Sequence, residues 1–188
     1  MREYYAPGVS PLGELWMSCT DEAITGLWFV GQRYFAATLG TDAHRDDDAP
    51  LLRAGFAWLE EYFAGEMPDA AALPLMPRGT EFRRAVWKKL RAIPCGQTLC
   101  YGEIAALMAK ERGRPVAAQA VGNAVGNNPI SILIPCHRVV GADGALTGYA
   151  GGIEKKLWLL QHEGAELPAR GKGLDAAPSV CYSDTVSR

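Results

Sequence analysis

An α+β chain of two domains is what the sequence predicts, and three observations predict it. Strand-like apolar runs open the chain and a helical pattern follows them. A proline-bearing stretch, MPDAAALPLMPRGT over residues 67–80, then interrupts the pattern, and the charge changes sign across it. Residues 1–77 carry four basic and twelve acidic side chains, a net −8, whereas 78–164 carry twelve basic and six acidic, a net +6. Residues 165–188 hold three of each. The expected organisation is an α/β scaffold domain over 1–77, a helical domain over 78–164 suited to a polyanion, and a mobile tail rich in Gly, Ala, Pro and Ser over 165–188.

Composition narrows the class. The 188 residues are 48% hydrophobic with a mean hydropathy of −0.05, which fits a packed globular protein and excludes wholesale disorder. No apolar run approaches the ~20 residues needed to span a bilayer. The start, MREYYAPGVS, has no basic-then-apolar layout, so a secretory signal is not expected. Five cysteines without a CxxC pair argue against a disulfide framework and a cysteine-rich zinc site, and a reducing cytoplasm is the expected compartment.

In chain order, residues 12–20 (LGELWMSCT) and 23–30 (AITGLWFV), separated by Asp21-Glu22, read as a strand hairpin, with 31–39 as a third strand. The charged segment 40–50 reads as a solvated loop rather than a metal site, although His44 and Asp46, Asp47 and Asp48 lie within it. Leu52, Phe56, Leu59, Tyr62 and Phe63 recur at helical spacing, and Gly65 ends that pattern. Residues 67–80 are the expected linker.

Beyond the linker, Thr80 is placed to cap a helix bearing Phe82, Val86, Leu90 and Ile93 on one face. Residues 101–110 read as a second helix and 115–126, begun by Pro115 and built of small side chains, as a third. This pair has the form of a helix-turn-helix, though many such pairs merely pack together. ISILI over 130–134 reads as a buried strand, 141–152 as a glycine-rich loop, and 153–164 as an amphipathic helix closed by glycine.

The sharpest chemical feature is IPCHRVV over 134–140. A histidine beside a thiol can take its proton, the thiolate is the nucleophile, and a carboxylate orienting the imidazole completes a triad. Spacing alone does not say which acid serves, and a bare Cys-His dipeptide is commonly inert.

IPCHRVV, preceded by GNNPISIL and followed by TGYAGGIEKKLWLLQHEG, resembles the O6-alkylguanine-DNA alkyltransferases, single-use DNA repair proteins. The resemblance extends upstream through FRRAVWKKLRAIPCGQTLCYGEIA and more loosely into PLGELWMSCTDEAITGLWF. It implies a ribonuclease H-like first domain and a winged helix-turn-helix-like second one. It further implies that Cys136 is the alkyl acceptor, His137 its base through a bridging water, and Glu163 the acid that holds His137. Asn128 falls on the residue that braces the turn before the acceptor, and Tyr101 on the one that assists nucleotide rotation and donates to guanine N3. Tyr149 falls on the pocket's aromatic wall, and the backbones of Cys136, Val139 and Ala150 fall where the extruded base is hydrogen-bonded. Gln119 and Gly151 complete the substrate-binding set.

The implied partner is double-stranded DNA carrying O6-alkylguanine, with O4-alkylthymine as a second lesion, acted on by a monomer whose cooperativity along DNA is left open. The implied reaction is stoichiometric and needs no cofactor or metal. One departure stands out: Gln119 occupies the position where the family places an arginine that fills the base stack, with Arg112 and Arg114 as other probes. The segment MAKERGR also looks like extra length between the two helices. Rival readings are a lesion-binding relative that lacks the acceptor cysteine, and a cysteine hydrolase that turns over.

Overall fold

The computed structural model describes residues 2–166; the expected tail therefore lies, from 167 onward, outside the described residues. The fold class is the expected one. A four-stranded sheet, its strands in the order Ile24–Phe29, Gly13–Thr20, Glu3–Ser10 and His44–Arg45, and one long helix form the first half, and four helices with a two-stranded sheet form the second.

Strands β1 (Glu3–Ser10), β2 (Gly13–Thr20) and β3 (Ile24–Phe29) make an antiparallel meander. Its β2–β3 turn follows from Thr20, whose hydroxyl accepts the amides of Glu22 and Ala23, both at 3.3 Å. The strand β1 escaped the sequence reading because Pro7 sits inside it. Proline is tolerated there because β4 (His44–Arg45) pairs only with Tyr4 and Tyr5, leaving β1 with one neighbour at Pro7.

The segment 40–50 is thus more than a loop: it lends the sheet a short parallel edge. The third strand expected over 31–39 is not one. Gln32 turns back so that its Oε1 accepts the amide of Phe29 at 2.9 Å, and Tyr34 and Ala36 adopt φ of 61° and 51°, which no strand allows.

Helix α1 (Pro50–Phe63) buries Leu52, Gly55, Leu59 and Tyr62, with Gly55 so close to the sheet that a Cβ there would meet Met17 and Ile24. The proline-bearing connector 67–80 is fastened rather than free. Ile24 donates its amide to the Pro74 carbonyl at 2.8 Å and accepts the amide of Met76 at 2.8 Å. Arg78 meets Glu3 at 2.9 Å and the Thr38 carbonyl at 2.8 Å.

In the second half, α2 (Glu81–Leu90) is capped by Thr80, whose hydroxyl accepts the amide of Arg83 at 3.3 Å. After β5 (Leu99–Cys100), helix α3 (Tyr101–Arg112) begins on a capping box in which the thiol of Cys100 does the work usual for a hydroxyl. The stretch MAKERGR is largely the last turns of α3, ended by Gly113 in the left-handed conformation, rather than additional loop. Helix α4 (Ala118–Gly126) starts three residues after Pro115, and Trp87 Nε1 donates to the Ala124 carbonyl at 2.8 Å, locking α2 to α4.

The buried strand expected over 130–134 reduces to a single bridge. Leu27 of β3 donates to the Pro129 carbonyl at 2.9 Å and accepts the amide of Ser131 at 2.8 Å, after which Ile132 takes φ of 66° and the chain turns. An apolar run remains a strand only while a partner edge accompanies it, and β3 accompanies this one for three residues. Cys136 therefore begins a 3₁₀ turn (Cys136–Arg138) instead of ending a strand. Strand β6 (Val139–Val140) pairs with β5, the glycine-rich loop follows, and α5 (Ile153–His162) closes the described chain.

Candidate active site

Asn128 builds the ground on which Cys136 stands. Its side-chain amide reaches the Ile134 carbonyl at 2.8 Å, the Ile130 carbonyl at 3.2 Å and Sγ of Cys136 at 3.1 Å, while its Oδ1 accepts the amide of Ile130 at 3.1 Å. A short amide side chain thus ties the turn to the sulfur. Cys136 is 4% exposed. Burial pushes its thiol up, with the Asn128 hydrogen bond and the charge of Lys156 acting in the opposite direction.

His137 and Glu163, 26 residues apart in sequence, meet at 2.8 Å between Nε2 and Oε1. Glu163 also accepts from Tyr62 Oη at 2.8 Å and from Arg138 through Nε at 2.8 Å and Nη2 at 2.9 Å. Burial alone would raise this carboxyl. The hydrogen bonds and charges of His137 and Arg138 outweigh it and hold Glu163 well below the usual carboxylate range. An ionised carboxylate only accepts, so the proton of the imidazole is assigned to Nε2. Burial lowers His137 against the pull of Glu163, leaving the ring neutral with its lone pair on Nδ1. Nδ1 is buried and has no hydrogen-bond partner among the described residues.

Three contributors were missed from sequence. Arg138 lies in the motif but reads as a surface charge, and Tyr62 belongs to the other domain. Lys156 carried a signal that was passed over: it shares the buried face of α5 with Leu159 and Leu160, where a lysine is unexpected. Its ammonium is fully buried, donates to the Val139 and Thr147 carbonyls, and is brought down to about 8 by burial.

A cleft of about 540 Å³, a size suited to a nucleobase-scale ligand, is bordered by Tyr101, Gln119, Thr147, Tyr149 and Ala150, and Cys136, His137 and Glu163 are not among the residues that line it. Tyr101 starts α3 and donates to the Thr147 carbonyl at 3.3 Å. Tyr149 buries a hydroxyl that lies near Ser131 yet reaches no partner within hydrogen-bond distance. Gly151 is required by packing, since a Cβ there would come 2.9 Å from Tyr149 Cε1 and 3.3 Å from Phe29 Cδ2. Gln119 is exposed on α4 at the cleft. Arg112 is engaged elsewhere, with its guanidinium 5.3 Å from the centre of the Phe82 ring. A second cavity of about 250 Å³ lies at the domain interface, between Trp58, Pro68, Arg91, Cys95 and Arg138.

Fold and site together define a two-domain protein whose second half carries the helix pair α3 and α4 and a buried cysteine followed in sequence by a histidine bonded to a buried glutamate. Comparison with known proteins gives the family. Residues 3–77 match the ribonuclease-like domain, and 81–165 the DNA binding domain, of 6-O-methylguanine DNA methyltransferase. The chain belongs to that family.

A methylated-DNA–protein-cysteine methyltransferase of Salmonella typhimurium is 41% identical over 172 residues, covering 82% of this chain and 92% of that one. A protein of the same description from Shigella flexneri is 57% identical over 106 residues, which is 56% of this chain and 60% of the relative. The crystal structure of Mycobacterium tuberculosis OGT in complex with DNA superposes with a TM-score of 0.73 at 42% identity, covering 88% of this chain and 96% of that one.

Proposed function

We propose that this protein repairs DNA by moving the alkyl group of O6-alkylguanine onto Sγ of Cys136, once per molecule. The observation that carries the reading is the line from Glu163 through Nε2 of His137 to an unpartnered Nδ1, next in sequence to a buried thiol.

The steps balance. His137 Nδ1 takes the thiol proton, directly or through a water. The thiolate attacks the alkyl carbon, the S–C bond forms as the C–O6 bond breaks, and the electron pair leaves on guanine. A proton given by Tyr101 to N3 neutralises the departing base, and the imidazolium proton makes good that loss through solvent. Glu163 stabilises the imidazolium while it exists, and Lys156 favours the charged sulfur. The thioether product has no leaving group to return, so the reaction ends there.

A base inside a stacked duplex cannot present its O6 substituent to a buried sulfur, so the nucleotide must be turned out at a few kcal/mol. The cleft between Tyr101 and Tyr149 is where we place it, with the backbones of Val139 and Ala150 and the small Gly151 around the base and Gln119 at the duplex. The net +6 of 78–164 favours phosphate contact. We further place the protein as a monomer in the cytoplasm, where thiols stay reduced; no described helix is long and apolar enough to cross a membrane.

The test is to incubate the protein with duplex DNA bearing O6-methylguanine and weigh it intact. A gain of one CH₂ on Cys136, stopping at one equivalent and absent in Cys136→Ser, is expected. Repeated turnover, or transfer by Cys136→Ser, would overturn the reading.

A further inference from the structure

The cleft has one wall from the first domain. Arg33 and Tyr34 border it together with Tyr101, Gln119 and Tyr149, and Arg33 is the one charged residue among those lining it. This loop is pinned to the second domain at two points. Arg33 donates its amide to the Ala150 carbonyl at 3.0 Å, and the Oε1 of buried Gln32 accepts the hydroxyl of Ser131 at 3.3 Å.

The guanidinium is presented rather than consumed. Its central carbon lies 4.7 Å from the centre of the Tyr34 ring, and no carboxylate lies within salt-bridge distance of it among the described residues. Tyr34 is 45% exposed and holds φ of 61°, a conformation unfavourable for an aromatic residue that persists only where its surroundings impose it. A lone arginine is thus braced at the mouth of a cleft by a domain whose net charge is −8.

The same cleft is bordered by Gln119, a neutral side chain on α4. We propose that Arg33 binds a phosphate of the strand carrying the extruded nucleotide, supplying from the first domain the cation that Gln119 does not. A planar guanidinium already stacked on an aromatic ring loses little freedom on engaging phosphate oxygens. The assignment rests on the DNA-repair reading above and extends it: the acidic domain takes part in substrate binding.

The experiment compares wild type, Arg33→Ala and Arg33→Lys, each as the full chain, in two measurements. One is the salt dependence of binding to an undamaged duplex. The other is the ratio of transfer rates from O6-methylguanine in duplex DNA and from the free base O6-methylguanine, which has no phosphate. Losing one phosphate contact is expected to reduce the slope of log affinity against log salt by about 0.9 in Arg33→Ala. The duplex-to-free-base ratio is expected to fall roughly tenfold, with Arg33→Lys keeping the slope.

An unchanged slope and ratio in Arg33→Ala would overturn the proposal. So would an equal fall of both rates, which would make Arg33 a structural brace. If wild type transfers nothing while Arg33→Ala still loses slope, the phosphate contact stands and the alkyl-transfer reading falls.

Discussion

Replacing Tyr62 with Phe removes one hydroxyl from the domain interface and leaves the ring. That hydroxyl donates at 2.8 Å to Glu163 Oε1, and both residues are buried. A hydrogen bond to a charged group is worth about 1.5–3 kcal/mol. Glu163 keeps His137 and both Arg138 contacts, and the Tyr62 ring keeps its stacking on Trp58 at 5.3 Å, so the lower end applies. The expected loss is about 1.5 kcal/mol. Urea unfolding followed by tryptophan fluorescence reads it as a midpoint lower by about 0.5–1.5 M at ordinary m-values. Single-turnover alkyl transfer in the same variant is expected to slow by less than about tenfold, since the imidazole keeps its carboxylate. A stability loss under about 0.5 kcal/mol would refute the bond across the interface. A hundredfold slowing would refute the view that Tyr62 only holds Glu163.

Two further predictions follow from the same relay. His137 sits below its ordinary value of 6.5 in the folded protein, so the unfolded chain binds its proton first. The contribution of His137 is full above about 6.5 and falls as pH drops below it, by at most about 1.4 kcal/mol per pH unit, and Glu163 adds a loss of the same sign below about 4.5. Urea midpoints across this range, compared with His137→Asn, check this; parallel profiles would contradict it. Asn128→Ala leaves the buried amide of Ile130 and the carbonyl of Ile134 without their side-chain partner, and is expected to cost on the order of 3 kcal/mol with transfer largely lost. Thermal unfolding and single-turnover rates measure both, and a loss under about 1 kcal/mol would remove Asn128 as the brace of the turn.

What could be read from the residues was whatever local chemistry dictates. Thr80 ahead of an apolar stripe gave α2, and the spacing of Leu52, Leu59 and Tyr62 gave α1. Elements decided by distant partners were misread. The run 130–134 has strand composition, but the length of β3 and the reach of Asn128 determine its path. Residues 31–39 look extended, yet Gln32 folds back on Phe29.

The site divides the same way. Cys136, His137 and Glu163 were reached because a motif and its register carry them. Arg138, Tyr62 and Lys156 complete the site through contacts spanning 17 to 101 residues; no local pattern announces Arg138 or Tyr62, and the one local sign of Lys156 is its place on the apolar face of α5. Arg33 escaped notice because it belongs to the domain read as scaffold.

The pairing of β3 with the backbone around Ile130 has a consequence for how the molecule can be divided. A first half severed ahead of Arg78 would present Leu27 with an unclothed strand edge, an invitation to associate with other copies, while the second half would lose the rail that aims the turn into Cys136. Each fragment is therefore expected to be sound only in the company of the other.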